Sequence, residues 1–151
     1  MVDKFKKFMQ LTQRQKKLFL EAFLLLGIMR AAILMISFKR LTRTLRHSNE
    51  EIVAGTPSGE QLRMAREIGK AIGTAAGHTL WESACLAQAL TAQRMLQRRG
   101  IPGVFYLGVM RDNTAKEKMK AHAWSKCGDF VVSGEGYEGF TVLSSFSWEG
   151  A

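Results

Sequence analysis

An α+β fold is what this sequence predicts, with helices first and an antiparallel sheet after them. Three observations carry that expectation. Apolar residues recur at helical spacing up to about residue 99, short β-rich segments follow from Val104, and Gly128-Asp129 separates two of those segments as a hairpin turn would. The 151 residues are 46% hydrophobic and 23% charged, enough for one compact domain with a real core.

Residues 1–17 are basic and amphipathic and suggest a short helix and a loop. Leu18 to Phe38 reads as a long helix, apolar almost all round and interrupted by Glu21 and Arg30. A membrane span needs about 20 apolar residues with few charges. This run barely reaches that length and carries two interior charges, so a helix buried on most sides, or docked against a partner, is the favoured expectation over membrane contact. No small-residue cleavage site follows the run, so no signal peptide is expected.

Lys39 to Thr56 is polar and reads as a connection ending in Gly55-Thr56-Pro57-Ser58. Ser58 is suited to cap a helix, and Gln61 stands three residues on, the spacing of a capping box. The helix it opens should run from about Gly59 to Ala76. Leu62, Ala65, Ile68, Ile72 and Ala76 mark its buried face, and Gly77 its stop. A further helix is expected from about Ala84 to Arg99, with Leu86, Ala89, Leu90 and Leu96 inward and Gln93, Arg94, Gln97 and Arg98 toward water. Gly100 and Pro102 end it. Strands are expected at Val104–Met110, Ala121–Cys127, Phe130–Ser133 and Phe140–Phe146. The domain plan is a helical, partner-docking region, 1–57, and a core, 58–151.

The net charge is +9, with Lys and Arg concentrated in the first half. A basic surface suits anionic partners, but aromatic residues are not interleaved with these charges and no nucleic-acid motif is present, so nucleic acid is not expected. The two cysteines, Cys85 and Cys127, do not make a metal-ligand spacing or a disulfide framework. A reduced, cytoplasmic setting and no metal or other cofactor are the corresponding expectations.

Cys85 is the residue with chemistry to offer. Ser83 is a good N-cap, which puts Cys85 in the first turn of its helix. There the macrodipole and free backbone N–H groups favour a thiolate and can hold an oxyanion. By strand alternation His122 and Trp124 share one face, while Ala121, Ala123, Ser125 and Cys127 share the other. An imidazole on a strand packed against the cysteine helix is placed to take the thiol proton. Cys127 points away from His122 and reads as structural. His47 and His78 read as surface or cap residues. Counting outward from Gly128-Asp129, Cys127 meets Phe130, Trp124 meets Ser133 and His122 meets Glu135. Glu135 is therefore the acid expected to orient the imidazole.

The chain at this point resembles the lasso-peptide biosynthesis B proteins, leader peptidases with a transglutaminase-like, papain-related core. The resemblance lies in an ordered set of segments: the N-terminal helical run, the Cys85-Leu86 helix followed by Arg98-Arg99-Gly100-Ile101-Pro102, a strand ending Leu107-Gly108-Val109, and His122-Ala123-Trp124 ahead of Phe140-Thr141-Val142-Leu143. It implies a cysteine endopeptidase that removes the leader from a ribosomally made precursor, with Cys85 as nucleophile and His122 as base. The family usually has an Asp where this chain has Ser133-Gly134-Glu135, and Glu135 is the substitute by strand pairing. The helical first 50 residues imply the split form, which works with a separate leader-recognition protein (a RiPP recognition element) and a macrolactam cyclase, and whose N-terminal helices dock one of them. A transglutaminase-like acyl transferase and a non-catalytic peptide-binding module are the alternatives on the same fold.

Overall fold

The computed structural model describes Lys6 and residues 9–53, 55–77, 85–111 and 119–149. The α+β expectation holds. Helices α1 (Gln13–Met35), α2 (Phe38–Leu41), α3 (Gly59–Ala76) and α4 (Cys85–Arg98) accompany strands β1 (Arg46–Ser48), β2 (Gly103–Arg111), β3 (Met119–Cys127), β4 (Phe130–Ser133) and β5 (Thr141–Trp148). The strands form one antiparallel sheet in the order β1-β5-β2-β3-β4.

Two sequence expectations are corrected at the N-terminal end. The long helix starts at Gln13 rather than Leu18, because Thr12 and Gln15 form a capping box, and it stops at Met35 rather than Phe38. The polar connection contains α2 and β1. Arg46, His47 and Ser48 pair with Ser147, Phe146 and Ser145, an edge strand too short to show a period of two. The Ser58–Gln61 capping box forms as expected. The α4 helix ends in a Schellman arrangement, with Ile101 N–H donating to Leu96 O at 3.0 Å and Gly100 N–H to Gln97 O at 3.1 Å.

Helices α1, α3 and α4 pack together, and α4 lies across β3, β2 and β4. Their shared core contains Leu18, Ala22 and Leu26 of α1, Ile68 and Ile72 of α3, Leu90, Met95 and Leu96 of α4, and Phe105, Ala123 and Phe146 of the sheet. The regions 1–57 and 58–151 thus share one core. Gln93, expected in water, is buried and bonds Gln97 at 2.6 Å. Glu21 pins α1 to the end of α4 through Arg99 at 2.6 Å and Arg98 at 2.9 Å.

On the opposite face of the sheet lies a smaller aromatic cluster, Val104, Tyr106 and Trp124, with Tyr137 and Phe140 packed against it. The alternation expected for β3 is therefore realised: Ala123 and Cys127 face the helices and Trp124 faces away. The turn is also realised, since Gly128 has φ +58° and Cys127 pairs with Phe130.

Candidate active site

Cys85 opens α4, so its own backbone N–H is among those a helix leaves unpaired at its start. The cap expected at Ser83 and the flanking Trp81 and His78 lie outside the described residues. Cys85 is half-buried, and its sulfur accepts the Ala123 N–H at 3.4 Å. Ala123 follows His122 directly, so the thiol reaches the backbone of β3 at the residue next to the histidine.

His122 is half-buried on β3. Its ring stacks at 5.8 Å from Trp124 and sits 5.2 Å from the tilted ring of Phe140, so aromatic walls fix its plane. Its Nε2 lies 2.8 Å from the carbonyl oxygen of Gly134. A carbonyl can only accept, so Nε2 carries the proton. The neutral ring then has its lone pair at Nδ1; the ring lies with Trp124 and Phe140, on the face of the sheet away from α4, and no hydrogen bond joins it to the Cys85 sulfur among the described residues.

The ladder count behind Glu135 is corrected here. Ser125 pairs with Ser133 while Lys126 pairs with Val131, so Val132 is an extra residue on β4. That bulge shifts every pairing beyond it by one. Ser125 and Ser133 share a buried hydroxyl bond at 2.7 Å, which anchors the shifted register. Glu135 is exposed and bonds no group of His122 among the described residues. The group at the imidazole is the main chain of Gly134.

Gly134 adopts φ +81°, and a Cβ there would run into the Ala123 carbonyl oxygen and lie 2.7 Å from Trp124 Cα. Only glycine lets residue 134 approach the strand this closely. The sequence held a signal for this: Gly134-Glu135-Gly136 puts two glycines around the acid, and glycines mark close backbone approach.

Among the described residues, the other thiol and the other histidine stand apart from this arrangement. Cys127 is fully buried in the main core, and burial pushes its thiol up to about 11. His47 stacks on Phe146 at 4.8 Å, with Nε2 3.3 Å from Ser144 Oγ. No cluster of His, Cys, Asp and Glu suited to a metal ion occurs among the described residues.

The start of α4, with Cys85, thus lies against β3, the strand that bears His122. The chain belongs to the transglutaminase-like superfamily, whose model matches residues 29–145. That superfamily includes cysteine-dependent enzymes, and its fold is compatible with protease or acyltransferase activity. No curated protein and no solved structure matches the chain.

Proposed function

We propose that this protein is a cysteine endopeptidase that removes the leader from a ribosomally made lasso-peptide precursor. It works with a separate leader-recognition protein and hands the freed core to a macrolactam cyclase. The observation that supports the catalytic part is the position of the two groups along β3: the Cys85 sulfur accepts the Ala123 N–H, one residue from a histidine whose Nε2–H is committed to Gly134 O. The substrate and partners rest on the ordered sequence motifs that resemble the lasso B proteins.

In the proposed cycle His122 Nδ1 takes the thiol proton, and the Cys85 sulfur attacks the carbonyl carbon of the last leader residue. The Cys85 backbone N–H, at the open start of α4, stabilises the oxyanion. The C–N bond breaks as His122 gives its proton to the departing amine. Water then adds to the thioester, His122 takes a proton from it, and C–S cleavage releases the leader as an acid. Through both halves Gly134 O holds the Nε2 proton, as the orienting residue of a triad does.

The test is to mix a leader–core precursor, the recognition protein and this chain, and weigh the products. Cleavage at the leader–core junction that disappears with Cys85→Ala supports the protease. Cleavage that survives the substitution rejects Cys85 as nucleophile. The superfamily also favours a second reading, acyl transfer. That would appear as a leader joined to an added amine in place of a leader acid.

A further inference from the structure

The inner side of α1 belongs to the core, but its outer side is apolar and uncovered. Leu20, Leu24 and Ile28 are 50%, 62% and 58% exposed, and Met35 is 84% exposed. With the exposed Ala31 between them, these residues follow one another at steps of three or four and form a single line along the helix. From Leu20 to Met35 the line is about 22 Å long, at about 1.5 Å per residue. It carries no charge. Glu21 is turned away onto Arg98 and Arg99, and Arg30 is off the line. This corrects the expectation of a helix buried on most sides, since only 17% of its most apolar stretch is buried.

Cations stand at both ends of the line. Lys17 is exposed one turn before Leu20, and Lys39, Arg40 and Arg43 are exposed just past the helix. None of these four pairs with a carboxylate among the described residues. Glu21 is the sole acid in residues 4–49, and it is already neutralised. The surface therefore asks for an apolar layer with negative charge at both ends. A protein groove would have to bring its own acids to both places. An anionic bilayer offers phosphates around any apolar side chain that enters it.

The helix is long and apolar enough to cross a membrane. It cannot do so in this fold, because Leu18, Ala22 and Leu26 are packed into the core and Glu21 is held by α4. We propose that the outer face of α1 seats the domain on an anionic membrane surface, with the helix lying in the interface. This goes beyond the proposed cleavage reaction and does not depend on it.

The experiment is flotation of the full chain with vesicles of phosphatidylcholine alone, or with about one-third phosphatidylglycerol. The expected result is partitioning at least about tenfold stronger onto the anionic vesicles, weakened at about 0.5 M salt. Leu24→Ser/Ile28→Ser should lower partitioning several-fold at an unchanged melting temperature, because both sites are solvent-exposed. Lys39→Gln/Arg40→Gln/Arg43→Gln should lower it at least about tenfold, at about fivefold per cation near the surface. Absence of capture by anionic vesicles overturns the proposal, as does capture that the Leu24/Ile28 variant retains. A dimer, or a complex with the recognition protein or cyclase, that this variant breaks while vesicles stay unbound would assign the face to protein instead.

Discussion

Replacing Glu135 with Ala separates two ways of holding His122. A carboxylate that orients a catalytic histidine is worth about four orders of magnitude in rate when its charge is lost. Glu135 is exposed, and the proton on His122 Nε2 is already taken by Gly134 O at 2.8 Å. What remains to Glu135 is a solvent-screened charge near the site. Two unit charges about 6 Å apart in a water-like medium interact by about 0.7 kcal/mol, or about threefold in rate. Glu135→Ala should therefore keep cleavage of the precursor within about threefold of wild type. His122→Ala should lose about two to four orders of magnitude. The assay is kcat/KM for leader release, followed by mass spectrometry with the recognition protein in excess. A loss of about a hundredfold or more in Glu135→Ala, at unchanged melting temperature, would return the orienting role to the carboxylate. Nitrogen NMR of His122 gives a readout free of turnover: protonation at Nε2 in the neutral ring is expected, and protonation at Nδ1 would contradict the carbonyl contact.

Three further outcomes follow from the same geometry. Gly134→Ala should lower stability by about 2 kcal/mol or more in chemical denaturation, since a left-handed φ and a collision with β3 both oppose it; an unchanged midpoint would show that the loop relaxes freely. For Glu21, burial works to raise the carboxyl, but the Arg99 hydrogen bond and the charges of Arg99 and Arg98 prevail and hold it below its ordinary 4.5. The depressed value stabilises the fold above about pH 4.5 and is lost as pH falls through the folded-state value. Glu21→Gln should cost about 1–2 kcal/mol near neutral pH, with a gap that closes in acid; a gap independent of pH would show that packing alone is lost. Finally, native alkylation should modify Cys85 and spare Cys127, which is fully buried and whose thiol is pushed up to about 11. Modification of both at equal rates would place Cys127 outside the core.

The local rules of the chain determined its elements. Ser58 with Gln61, Gly100 with Pro102, and Gly128 before Asp129 act through contacts a few residues long, so α3, the end of α4 and the β3–β4 turn were legible before any coordinates. The alternation of β3 likewise separated His122 and Trp124 from Ala123 and Cys127. Three things needed the folded molecule. The short β1 strand owes its conformation to β5, a partner almost 100 residues away. The bulge at Val132 depends on which backbone groups of β3 and β4 meet, and it exchanged a side-chain carboxylate for a main-chain carbonyl at His122. The composition of α1 could not reveal which of its apolar sides the core would cover, because burial is a property of neighbours brought in from α3 and α4 rather than of the helix itself.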